Sequence, residues 1–424
     1  MKFHFFSLAA ATLLLTGCHS SSAHLSRVFL VDSQGFSQTV TTPSSLEKYE
    51  AVDFLSPQPY QKVMRTWQDK SHSEKSVLTS YYPSGQLMQY LEGSGGRACG
   101  LYKEWHENGK LKIEASLSGG KFDLGPAAES SWIFDGLTLA FDEEGHKQAE
   151  IPYAKGVKEG LGVMYHPDGT LWQKLSYHQD LLDGPYIAYY PSGAIYKESN
   201  YSKDLLDGKS TFRWPDGKIQ ATELYSKDSL LDGSYYDKEG KKVGQVKGGR
   251  GLRALFAEDK LEEFQTIENG QVQGWVGFYD EGGELWHEIH IKDGVKEGAE
   301  TFFYHQLGDK RRPKITMQWS AGSLHGIVRT WFENGQLESE RQIVQEKPHG
   351  PYVAYYPDGS LRALEEYNKG KLVDGKYFAH GNTQAISQVV EGQGTATLFD
   401  SQGRMVKEIV YRDGEPCLHP TSHE

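Results

Sequence analysis

Cysteine is almost missing from this chain: Cys18, Cys99 and Cys417 are the three in 424 residues. That excludes a disulfide-stapled framework and leaves no Cys-x-x-Cys pair for zinc or redox chemistry. Basic excess is missing too. The 45 Lys and Arg residues face 57 Asp and Glu residues, a formal net charge of −12. Nucleic-acid binding needs a basic footprint, so no nucleic-acid partner is expected. Beyond residue 15 no apolar run approaches membrane-spanning length. There is no Gly-x-Ser-x-Gly elbow, and Gly93-Ser94-Gly95-Gly96 lacks the Lys-Ser/Thr of a phosphate loop. His287-Glu288-Ile289-His290 is the tightest histidine pair, but residues three apart on a strand point to opposite faces. Glu198, Glu223, Glu288, Glu340 and Glu365 recur one per unit, which reads as a solvated face serving solubility. No catalytic residue, metal ligand or cofactor is therefore expected.

What the chain has is glycine, 47 residues of it, spaced regularly. Turn strings such as His166-Pro167-Asp168-Gly169, Tyr190-Pro191-Ser192-Gly193, Trp214-Pro215-Asp216-Gly217 and Tyr356-Pro357-Asp358-Gly359 recur, most often 24 residues apart. A period in that range signals a repeat architecture. Four residues before the turn position lies an aromatic, as in Tyr81, Trp105, Tyr165, Tyr189, Trp331 and Tyr355; only Arg213 breaks the rule. Lys260, Gly308 and Gly381 are assigned as turn positions by the same spacing. Pro sets φ for a type I turn, and Gly supplies the left-handed residue that closes a three-residue hairpin loop with a bulge.

That loop places the residue four before Gly opposite the residue two after it. The expected pairs are Tyr81/Leu87, Trp105/Leu111, Tyr165/Leu171, Tyr189/Ile195, Tyr279/Leu285, Trp331/Leu337 and Tyr355/Leu361. By period two, Tyr153, Tyr177, Tyr201, Tyr225, Ile291, Tyr367 and Tyr411 are assigned to the same face. Leu182-Asp183-Gly184, Leu206-Asp207-Gly208, Leu231-Asp232-Gly233 and Val373-Asp374-Gly375 are assigned as second turns. The expected fold is all-β, an elongated solenoid of tandem antiparallel β-hairpins. About 28 strands at ~4.8 Å would hold Cys99 and Cys417 far apart and unpaired.

The unit Gly-x-Tyr-x-x-x-Tyr-x-x-x-Gly-x-Leu, closed by Asp-Gly some fifteen residues later, resembles the MORN repeat, and within it the bacterial variant. The resemblance spans roughly residues 78–414, is clearest at 160–235 and 326–378, and weakens at 110–150 and 241–262. It implies a hairpin solenoid acting as a scaffold or a membrane-proximal binding module. Some relatives in that family carry an antitoxin label, so a toxin-sequestering immunity module is the alternative.

The N-terminus carries a second resemblance. Lys2 precedes an apolar stretch over residues 5–15, ending in Leu15-Thr16-Gly17-Cys18. This is similar to a lipoprotein signal peptide with its lipobox. It implies cleavage just before Cys18, a lipid-carrying Cys18 as mature N-terminus and membrane anchor, and, with His19 rather than Asp next, the outer membrane. The expected organisation is a signal at 1–18, a polar tether at 19–26, a divergent cap at 27–77, the repeat array at 78–414 and a tail at 415–424. The function expected is a non-enzymatic envelope scaffold for a protein or surface polymer. Trp172, Tyr190, Tyr196 and Trp214 point away from the assigned core face, so they form the candidate binding patch.

Overall fold

The computed structural model describes residues 23–70, 73–305 and 311–417. Cys18 and the rest of the apolar leader lie outside them. Strands paired antiparallel account for nearly all the regular structure, so the chain is all-β. It divides into two compact units at Ala194/Ile195. Among the described residues no helix is long and apolar enough to cross a membrane.

The first unit opens with a cap. The strand His24–Asp32 is flanked by Ser37–Val40 on one side and Tyr60–Gln68 on the other. It begins ahead of the expected boundary at 27 because Leu25, 5% exposed, is already core. A short helix, Pro43–Glu50, starts on proline and buries Leu46. Val28, Val63 and Phe54 pack with Tyr81 and Leu87 of the first hairpin, so cap and array share one core. Hairpins then follow in chain order. The extra residues near 120–135 form a loop with a short helix, Pro126–Glu129, and set Trp132 against Leu78, Leu91 and Tyr102. The second unit continues the same hairpin pattern to Met405–Arg412 and Glu415–Pro416.

The turn argument holds at the Pro-Asp/Ser-Gly strings and equally at variants without proline, such as Glu107-Asn108-Gly109 and Glu333-Asn334-Gly335. Tyr81/Leu87, Trp105/Leu111, Tyr165/Leu171, Tyr279/Leu285, Trp331/Leu337 and Tyr355/Leu361 are paired as expected. Gly359 takes φ +85° and donates its N–H to Tyr356 O at 2.9 Å. Two assigned positions fail. Lys260 is a strand residue paired with Ala257, because Glu258-Asp259 already makes a two-residue turn. Gly381 sits in a longer loop between Tyr377 and Ser387. Gly308 lies outside the described residues, and Phe303, not Tyr304, occupies the aromatic position, opposite Pro313.

Two further expectations are overturned. The first concerns faces. Directly after each aromatic/aliphatic pair the register shifts by one residue, as between Met164 and Tyr165. This bulge reverses the alternation. Tyr165 shares a face with Val163 and bonds Glu150, which is paired with Val163. Tyr177 lies opposite Gly160, and its ring stands 2.9 Å from where a Gly162 Cβ would be. The Tyr153/Tyr177/Tyr201 series therefore faces away from the Tyr165/Tyr189 series.

The second concerns the returning turns. They are made by two consecutive left-handed residues, as at Gln179-Asp180 (φ 49° and 68°), Lys203-Asp204 (52° and 67°) and Lys227-Asp228 (47° and 64°). This is type I′ geometry, matched to strand twist. The Asp-Gly strings lie further on, at the start of the next strand. There Gly184 and Gly208 take φ +115° and +98°. Gly233 and Gly375 leave room for the Tyr235 and Tyr377 rings, whose Oη atoms would lie 2.4 and 2.7 Å from a Cβ.

Candidate functional site

The candidate patch does not form as expected. Trp172 is 40% exposed, beside the His166 ring at 5.9 Å. Tyr190 is half-buried. Tyr196 is half-buried and meets the Phe212 ring edge-on at 6.1 Å. Trp214 is 0% exposed and packs edge-on against Phe256 at 5.0 Å. Trp214 is thus core, and so is Tyr356, also 0% exposed. Trp172 and Tyr190 belong to the first unit, Tyr196 and Trp214 to the second.

The turn geometry explains the split. A residue three after Gly, such as Trp172, is the extra residue of the bulge and is pushed outward. A residue three before Gly opens the turn and can lean over the next hairpin. Tyr82 and Tyr356 do so by donating their hydroxyls to Trp105 O at 2.8 Å and Phe378 O at 2.9 Å. Tyr304 reaches Trp331 O in the same manner at 2.7 Å. At the opposite edge the returning turns latch backwards. Leu206 N–H donates to Asp228 Oδ1 at 2.7 Å while Asp228 N–H donates to Leu206 O at 2.9 Å. Lys158 and Asp180 repeat this in the first unit.

Glu223 and Glu365 are struts between strands, which corrects their reading as a solvated face, whereas the Glu198 and Glu340 side chains stay 41% and 40% exposed. Glu223 is 3% exposed. It accepts from Tyr225 Oη at 2.7 Å, Tyr235 Oη at 2.9 Å and Arg253 Nε at 2.8 Å. Burial pushes both tyrosine pKa values up, and the Glu223 charge adds to it. Burial alone would lower the Arg253 pKa, but Glu223 outweighs it and the net shift is upward. Glu365 accepts from Tyr367 and Tyr377 at 3.0 and 2.9 Å. Glu198, Glu288 and Glu340 hold Arg213, Trp275 and Arg329. The spacing hid a difference: Glu223 and Glu365 stand six after the turn glycine, the others five, so they face opposite ways. A catalytic carboxylate must reach substrate; both Glu223 and both Glu365 oxygens are taken up by the chain's own donors.

Sequence reading missed Glu300, 2% exposed, which accepts from His287 at 2.8 Å, Lys296 at 2.7 Å and Trp319 at 2.7 Å. Burial pushes its pKa up, but the Lys296 and His287 bonds prevail and hold it below the usual range. The His287 ring lies between Phe278 and Phe302, at 4.9 and 4.1 Å. His290 is exposed and bonds Ala299 O, so the two histidines do separate. Asp280, Glu284 and His305 also come within 4.8 Å of one another. The Asp280 carboxylate there already accepts the Gly282 and Glu284 amides of its own turn. Cys99 and Cys417 are free thiols.

The MORN repeat variant family matches residues 98–117, 158–179, 182–203, 324–344 and 348–369. No curated protein matches the chain. Matched segments such as 158–179 and 324–344 each cover one hairpin, from its first arm through the turn to its second. The family match and the turn-and-bulge geometry together make the chain a MORN-like repeat protein.

Proposed function

We propose that this protein is a non-enzymatic, lipid-anchored envelope scaffold whose repeat surface binds a protein or a surface polymer. The observation that carries the reading is how the hairpins are tied. Turn tyrosines at one edge and Asp latches at the other hold neighbours in register. Equivalent residues on consecutive hairpins within a unit are thereby set about two strand spacings apart, ~9.6 Å. In the first unit this leaves Phe141, Tyr165 and Tyr189 half-exposed at one register position. Lys147 and Glu150 pair beside Tyr165, which bonds Glu150 as well. Such a stripe suits an extended partner better than a point substrate. The anchor reading rests on Leu15-Thr16-Gly17-Cys18, with the outer membrane as its destination. The test is envelope capture with the tagged full chain, wild type against Cys18→Ser. The substitution should abolish labelling by palmitate and detergent partitioning while sparing the fold. Labelling that survives it removes the anchor; an array that captures nothing from native envelope removes the scaffold.

A further inference from the structure

The cap and the first hairpin enclose a cleft built from both. The cleft, of about 940 Å³, lies between residues 57–62, the end of the first strand and the Pro83-Ser84-Gly85 turn. Its rim is fixed. Gln58 N–H donates to Gly85 O at 2.9 Å, and a Cβ on Gly85 would stand 3.1 Å from Gln58 O, so the cap loop lies flat on the turn. The side-chain amides of Gln58 and Gln61 are held on Asp53 O and Ser33 O at 3.0 and 3.1 Å, which orients both at the mouth. Deeper in, Gln89 is 9% exposed and its amide is already engaged, accepting from Ser80 Oγ at 3.0 Å and donating to Tyr102 Oη and Glu129 Oε1 at 3.1 and 3.2 Å. Pro59, Tyr60, Tyr82 and Met88 add apolar surface to this amide-rich lining. Lys62 alone among the lining residues is charged, and its ammonium is paired with Asp123 on the segment that brings Leu124 to the wall.

We propose that this cleft is a binding site for a neutral sugar. The chemistry selects by elimination. An anionic ligand would have to break the Lys62–Asp123 pair. A wholly apolar ligand would strip water from the Gln amides without replacing their bonds. A sugar ring offers an apolar C–H face to Tyr60, Tyr82 and Met88 and a donating hydroxyl edge to the Oε1 atoms of Gln58 and Gln61, whose Nε2 atoms are held by the cap. Pockets of this size, with few placed polar groups and a preformed rim, suit small ligands. The site is independent of the scaffold reading, since its loss leaves envelope capture by the array intact.

The test uses the full chain in detergent and saturation-transfer NMR with three neutral probes, cellotriose, triacetylchitotriose and maltotriose, and with glucuronic acid as the charged control. Transfer to at least one neutral probe is expected, with none to the acid. Met88→Trp fills the cleft and should weaken binding about tenfold or more. Gln61→Trp, at an exposed rim position, does the same if Met88→Trp disturbs folding. Val406→Ala, at an exposed position in a late hairpin, should change nothing. No transfer from any neutral probe, equal transfer from glucuronic acid, or binding unchanged in a folded filling variant would each overturn the proposal.

Discussion

Replacing Glu223 tests the strut reading most severely. In Glu223→Ala the Arg253 guanidinium, which donates through Nε and Nη2 at 2.8 and 3.3 Å, loses its counter-charge inside the fold. Tyr235, 0% exposed, loses the acceptor for its hydroxyl, and Tyr225 keeps only the Arg253 contact. Removing one partner of a buried ion pair costs about 3–5 kcal/mol because the other charge stays buried. An orphaned buried hydroxyl adds about 1–3 kcal/mol. The expected loss is therefore about 4 kcal/mol or more, against roughly 0.5 kcal/mol or less for an exposed residue. Glu223→Gln keeps the shape but turns an NH₂ toward the guanidinium, so it should fall in between. The assay is urea unfolding of the second unit's aromatic signal, with hydrogen exchange to locate the damage. In a repeat array it should concentrate in residues 208–256 before spreading. A Glu223→Ala protein within 1 kcal/mol of wild type would refute the reasoning, since a solvated carboxylate predicts that result.

Other outcomes follow from the same structure. Asp228→Ala removes the latch but keeps a left-handed residue, and should cost about 1–2 kcal/mol; Asp228→Gly removes the latch and relieves φ, recovering about 1 kcal/mol of that. Equal losses in urea titrations of the two would show that the turn is unstrained. Trp214→Ala should cost about 3–5 kcal/mol as a core truncation, whereas Trp172→Ala should shift the melting temperature little. Burial pushes the Tyr81 and Tyr90 hydroxyls up to about 12. Unfolded tyrosines ionise near 10, so the contribution is complete below pH 10 and lost as pH rises toward 12; a flat alkaline stability profile would contradict it. Asp358, held at about 2 by the Ser360 hydroxyl and amide and by His380, should contribute stability that fades as pH falls from about 4 through 2, measurable in acid titrations of its hairpin.

Local chemistry carried the hairpins. A short turn of Pro, Asp, Ser, Asn or Glu closed by a left-handed Gly has one cheap conformation, so the chain alone determined the loop, the bulge and the aromatic/aliphatic pair beside it wherever turn-forming residues preceded that Gly. The same locality explains the failures. Lys260 stands where the closing Gly is needed and Tyr304 is not followed by turn-forming residues, so spacing alone could not say which residue turned. Asp-Gly reads as a turn in any short window; here the reversal had been made a few residues earlier, and glycine was needed for a bulge or to admit a tyrosine ring. Faces were misjudged for a related reason: period-two counting cannot see that a bulge spends one residue and reverses every side chain after it. Burial was decided at longer range still. Trp214 is core because Phe256, beyond the next hairpin, stacks on it, and Glu223 is dry because Arg253, three strands on, reaches back over the sheet to meet it. Those contacts join residues 30 to 42 positions apart, so they exist only once the sheet has formed.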